Sequence, residues 1–242
     1  MDYNQSPIET EPVKPHSWYK KLLPIILVII VLAGAAFAYT KMKNKPAVAP
    51  SGEAIQKREV SSTDEEKQKL EAKVADYEQQ IQALPADSSP DTKYKLYLNL
   101  ASSYYGLGKY DQAIATLDKI IGENQDKARL WALYANIYRD MDKLDKAREN
   151  AKKALDLDKE NPAYWLAYID FSADQSKQTI DTLYQDALKN TDTNIDVVVS
   201  YAKFLENIGN KEKAKEFWVK AGQIDAKNKA QYDAEIARID RK

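Results

Sequence analysis

The side chains that carry most protein chemistry are scarce in this sequence. There is no cysteine, and the one histidine, His16, stands in the N-terminal tail. Disulfides, thiolate metal sites and thiol nucleophiles are thereby excluded, as are a Ser–His–Asp triad and a histidine-ligated zinc site in the folded region. No Walker A loop, GxGxxG, HExxH or nucleophile elbow occurs. Carboxylates are abundant, but 37 acidic residues stand against 36 basic ones, and at such density a carboxylate belongs to a solvated helix face. Neither catalysis, nor a cofactor, nor a small-molecule substrate is expected. The formal net charge of −1 also argues against nucleic acid, because binding phosphates needs a basic surplus. What remains is a set of charged and aromatic side chains displayed at helical spacing.

The elements that display them divide unevenly. Residues 1–21 form a polar tail. Leu22 to Tyr39 then reads LLPIILVIIVLAGAAFAY without a charge; at helical rise it spans roughly 27 Å, close to the hydrocarbon thickness of a bilayer. Lys20 and Lys21 bound one end, and Lys41, Lys43 and Lys45 the other, where lysine stems reach the headgroups. Residues 22–40 are therefore expected to form a single transmembrane helix in contact with the lipid bilayer. The rival is a cleaved signal peptide, for which Ala36-Phe37-Ala38 supplies the site; the long preceding tail and long apolar run favour an uncleaved anchor. Lysines on both flanks nearly balance under the positive-inside rule, tilting it slightly toward a cytosolic C-terminus. The short tail before Lys20-Lys21 and the spacer KNKPAVAPSGEA, which resembles those of bacterial envelope proteins, point to an extracytoplasmic C-terminal domain at the cell membrane.

Residues 41–61 carry Pro46, Pro50 and Gly52 without an apolar period and read as a linker. A capping helix is expected over 62–85. Ser62 with Glu65, or Thr63 with Glu66, offers a capping box, and Leu70, Val74, Tyr77, Ile81 and Leu84 follow as one apolar stripe. Two heptads are short for a coiled coil, so the stripe is expected to cover the next element. The alternative is a structural oligomeriser that pairs between chains through residues 64–84.

From residue 94 to 228 the sequence nearly repeats every 34 residues. Trp131, Tyr134, Ala135, Tyr138 and Ala147 are preceded one period earlier by Tyr97, Leu100, Ala101, Tyr104 and Ala113. They are followed by Trp165, Tyr168, Ile169 and Ser172, and then by Val198, Tyr201, Ala202, Leu205 and Ala214. The pattern resembles the tetratricopeptide repeat, W-x₂-L-G-x₂-Y then A-x₃-F then P. Four copies fit, over 94–127, 128–161, 162–194 and 195–228. Small residues are expected where paired helices cross, and Trp131, Trp165 and Trp218 are expected in the core. Proline is missing at the closing position, where Gln125, Lys159 and Ala226 stand. The third copy departs furthest, with Ile169, Ser172 and Ile180 and a one-residue deletion, so irregular packing is expected there. Tyr232, Ile236 and Ile239 make 229–242 a C-terminal capping helix. The expected fold is thus all-α: an α-solenoid of four repeats with capping helices, preceded by one transmembrane helix.

The resemblance implies a membrane-anchored scaffold, with a groove lined by the first helix of each repeat and a protein or peptide as partner, in a layout similar to envelope proteins of assembly or translocation. Carried over residue by residue, the groove positions are Lys95, Leu98, Ser102 and Tyr105; then Arg129, Ala132, Asn136 and Arg139; then Leu166, Asp170 and Asp174; then Asp196, Val199, Lys203 and Glu206. Asn136 matches an asparagine the family uses on ligand backbones. Leu98, Ser102, Leu133, Ala163 and Ala167 replace the family's carboxylate clamp, so a chaperone C-terminal tail is not expected. The signs of these charges predict a groove positive in its first half and negative in its second.

Overall fold

The computed structural model describes residues 63–241. The tail at 1–21, the apolar run at 22–40 and the linker at 41–61 lie outside the described residues. Among those described there are ten α-helices and no strand, and no helix is long and apolar enough to cross a membrane.

The first helix, α1 (Asp64–Gln82), opens on a complete capping box. Thr63 Oγ1 accepts from the Glu66 amide at 3.3 Å, and Glu66 accepts from the Thr63 amide at 3.2 Å. Three acidic residues fill its first turn, where they complement the helix dipole. The helix stops at Gln82, short of the proline at 85. Val74 is buried, and Tyr77 and Ile81 pack against the same core as residues of the next helix, α2 (Pro90–Gly106). The Leu70 side chain lies 3.1 Å from where a Cβ on Gly106 would stand, a close approach of α1 to α2. Val74, Tyr77 and Ile81 of the stripe thus cover the first repeat within the chain.

Four antiparallel pairs follow. Helix α2 pairs with α3 (Tyr110–Asp118), α4 (Ala128–Asp140) with α5 (Leu144–Leu157), α6 (Pro162–Asp170) with α7 (Lys177–Asn190), and α8 (Ile195–Asn207) with α9 (Lys211–Ile224). Side-chain caps from Ser89, Asn161, Ser176, Asn194 and Asn210 open five of these helices, each satisfying a first-turn amide that has no partner inside the helix. Ala101, Ala113, Ala135, Ala147, Ala202 and Ala214 are all buried at the crossings. Close approach demands that size: a larger side chain would hold two backbones apart. The turn inside three pairs needs a left-handed residue, supplied by Gly108 (φ 71°), Asp142 (φ 58°) and Gly209 (φ 86°). Glycine adopts it freely, and aspartate is among the few others that tolerate it.

The turns between pairs hold their shape without the missing prolines. Trp131 Nε1 donates to the Gln125 carbonyl and Trp165 Nε1 to the Lys159 carbonyl, both at 2.8 Å. These acceptors stand at the closing position, so an indole from the following helix fixes the residue that proline would have stiffened. Tyrosine hydroxyls make a second kind of tie, each donating to a carboxylate of the preceding element: Tyr104 to Glu78, Tyr134 to Asp118, Tyr201 to Asp181 and Tyr232 to Asp225. They secure the α1/α2, α3/α4, α7/α8 and α9/α10 junctions. At α5/α6, Lys152 stands one period after Asp118, and Arg148 instead pairs with Asp174.

The core falls into an N-terminal cluster from Val74 to Ile137 and a C-terminal one from Leu155 to Ile239. A small group between them comprises Ala135, Ala147, Ala151 and Phe171. The third repeat is irregular in a definite way. Helix α6 has nine residues, and Ile169 and Ile180 are buried where the other copies have small residues. Phe171, 3% exposed, enters the alanine-lined crossing of the repeat before it. Helix α10 (Lys229–Asp240) closes the stack, burying Tyr232 and Ile239 against the C-terminal cluster.

Candidate peptide-binding groove

First helices of successive repeats lie side by side, α2 against α4 and α6 against α8. Their shared face is built from residues one turn apart, because residues three and four apart project the same way from a helix. Ser102, Tyr105, Ala132, Asn136, Arg139, Leu166, Asp170, Val199, Lys203 and Glu206 are half-buried, while Lys95, Arg129, Asp174 and Asp196 are exposed. Leu98 is a correction. It is 2% exposed and belongs to the N-terminal core with Val74 of α1: a preceding helix claims the face that the repeat pattern alone leaves open.

A hydrogen-bonded network crosses the middle of this face. Tyr105 Oη donates to Asp140 Oδ2 at 2.8 Å, and Arg139 Nη2 donates to Tyr105 Oη at 3.2 Å. Arg139 Nε also donates to Asp140 Oδ1 at 2.8 Å, and its guanidinium lies over the Phe171 ring. Burial weighs against the Arg139 charge, but the Asp140 bond and the surrounding negative groups outweigh it and leave the pKa raised. Asp170 lies opposite. Burial raises its pKa, and Arg139 offsets part of the rise. Asp140, buried and essential to this network, was missed by sequence reasoning. Its neighbours Tyr105 and Arg139, one period apart at 105 and 139, were the available signal.

Several of the charges behind the expected division of the groove into a positive and a negative half have partners within the chain. Lys95 pairs with Asp91, Arg139 with Asp140, and Asp174 with Arg148. Glu206 accepts both guanidinium nitrogens of Arg238 at 2.6 Å from α10. Half of the charges that set the expected polarity are therefore paired within the chain, and Asp174 is held by a second helix, α5. Ser102 Oγ is turned onto the Leu98 carbonyl at 2.8 Å. Leu166 and Val199 pack against the C-terminal core. Among the described residues Arg129, Asp196 and Lys203 have no ion-pair partner. Burial pushes the Tyr94 and Tyr164 hydroxyls up, and the Arg129 charge opposes the rise in both.

Two tetratricopeptide-repeat family models match the chain, over residues 74–137 and 128–171. Among solved structures, Pseudomonas aeruginosa pilF is similar at 20% identity, covering 63% of this chain and 69% of that one with a TM-score of 0.52. A tetratricopeptide repeat protein of Parabacteroides merdae is similar at 14% identity, covering 72% and 68%, with a TM-score of 0.55. A thermophilic repeat protein of Thermus thermophilus follows at 15% identity, 71% and 91% coverage and a TM-score of 0.50. At these identities the likeness speaks for the fold. Among curated proteins no match is found. Residues 74–171 match tetratricopeptide-repeat models, and α8 and α9 continue the stack as a further helix pair.

Proposed function

We propose that this chain is a membrane-anchored scaffold that holds a polypeptide against the shared face of α2, α4, α6 and α8, with its repeats on the extracytoplasmic side, in envelope protein assembly or translocation. Tetratricopeptide repeats in general mediate protein–protein interaction. The observation that carries the reading is the half-buried polar face of Tyr105, Asn136, Arg139 and Asp170, in which hydrogen bonds to Asp140 fix Tyr105 and Arg139. Preorganised polar groups of that kind lose little entropy when a ligand binds. The uncharged run at 22–40 with lysines at both ends supports the anchor.

Affinity capture with full-length protein in mild detergent tests the groove, using Asn136→Ala as the variant. Partner recovery is expected to fall while the melting temperature stays within a few degrees. Equal recovery would move binding to another surface. For the anchor, full-length protein is expected to resist carbonate extraction and keep its N-terminus. A mature chain beginning at Tyr39 would show a cleaved signal instead.

A further inference from the structure

We propose that Asp170 selects the peptide held in the groove by pairing with one of its lysine or arginine side chains. This rests on the groove reading and names one contact within it. Asp170 is the last residue of α6 and stands between the buried Ile169 and Phe171, so the fold fixes its backbone. Its side chain is half-buried. Among the described residues its carboxylate accepts no hydrogen bond and makes no ion pair. Arg139, which stacks on the next residue in the chain, is already committed. It gives Nε to Asp140 at 2.8 Å and Nη2 to Tyr105 at 3.2 Å, and its guanidinium lies 5.7 Å from the centre of the Phe171 ring. Asp140 is itself buried. Arg139 and Asp140 thus form a neutral pair, and the charge of Asp170 is the one left over.

Little in the fold compensates that charge. Burial disfavours it, and so does its place at the negative end of the helix dipole, where α6 has no basic residue in its last turn. The carboxyl accordingly sits above its ordinary pKa, with Arg139 offsetting only part of the rise. A carboxylate that weakens its own fold is explained by a ligand that needs it. The surroundings say which ligand. Leu166 lies one turn before Asp170 on the same face, half-buried and packed on the C-terminal core. An apolar side chain one turn from a carboxylate fits a long stem with a cationic end, which is lysine or arginine. A ligand carboxylate would instead meet the two aspartates, 140 and 170, against the one guanidinium.

The test uses full-length protein in detergent micelles against three arrays of random decapeptides, acetylated and amidated at their ends. All are built of uncharged residues except for one fixed central position, which is lysine, norleucine or glutamate. The lysine array is expected to be retained over the other two. Asp170→Asn, which keeps the shape and removes the charge, is expected to reduce that preference roughly tenfold or more, the size of a charge-assisted hydrogen bond. The same variant is expected to unfold at a higher urea concentration than wild type, because an uncompensated charge is gone. Asp186→Asn, on the exposed face of α7, makes the same change in net charge and should leave the preference intact. Lysine preference that survives Asp170→Asn would overturn the proposal. So would a lowered urea midpoint, which would make Asp170 a structural partner of Arg139. Wild-type protein that holds all three arrays alike would sink this contact and leave the groove standing. If it holds no peptide from any array, the groove reading itself falls, and this contact with it.

Discussion

The second and third repeats solve the same packing problem in opposite ways. In α4 and α5 the crossing is lined by Ala135, Ala147 and Ala151, and the two helices run close along their length. In α6 and α7 the comparable places hold Ile169 and Ile180, so the helices meet over a shorter stretch and α6 ends after nine residues. What α6 loses inside its own pair is recovered outside it. Ending at Asp170 lets the chain turn and place Phe171 in the crossing of the preceding repeat. An irregular copy is thus a donor to its neighbour, and the two repeats are one packing unit across an otherwise thin seam.

If that is right, the largest loss should come from Phe171→Ala. It is expected to cost about 3–5 kcal/mol in urea unfolding, as removal of a buried phenyl does, and to loosen the second repeat as well as the third. Amide exchange should show α4 and α5 opening; exchange confined to 162–190 would break the comparison. Next comes the exchange of signatures. Ile169→Ala gives the third repeat the family's small residue, yet is expected to cost about 2–4 kcal/mol because helices already set apart leave a cavity. Ala135→Leu is expected to cost about 1–3 kcal/mol by overfilling a close crossing. A stabilised Ile169→Ala would mean that the third pair can close up after all.

The smallest effect lies at alkaline pH. Burial and the Glu78 bond push the Tyr104 hydroxyl up to about 12, and burial and the Asp225 bond do the same for Tyr232. A raised folded-state pKa favours the protonated fold. That stabilisation is fully present below the unfolded value of 10.0 and is lost as pH rises through about 12. Tyr104→Phe should flatten the fall in stability between those values. An unchanged slope in Tyr104→Phe would remove the tyrosine ties as a source of stability at these junctions.

Much of the fold is legible in the sequence because the information is local and periodic. The 34-residue spacing, the buried alanines and the Thr63–Glu66 capping box each depend on residues close in the chain. The groove was less legible because its chemistry depends on partners far away. Glu206 is neutralised by Arg238 and Asp174 by Arg148, pairings across different helices that charge signs along one face do not reveal. Arg139 is likewise structural: reversing its sign would set a negative charge beside the buried carboxylate of Asp140, so stability would fall along with any affinity. Leu98 went to the core because α1 covers the first repeat. Phe171 could not be placed from sequence, since nothing local tells a chain to pack backwards.

The two indole bonds have a use beyond holding turns. Trp131 and Trp165 each report on the one inter-repeat loop whose carbonyl they bind, before α4 and before α6. Trp218 Nε1, buried in the last pair, has no acceptor among the described residues. Indole emission depends on polarity and hydrogen bonding at that nitrogen, so single-tryptophan variants turn the solenoid into a set of separate optical gauges. Breathing of each loop could then be followed in the native protein, repeat by repeat, without any added label.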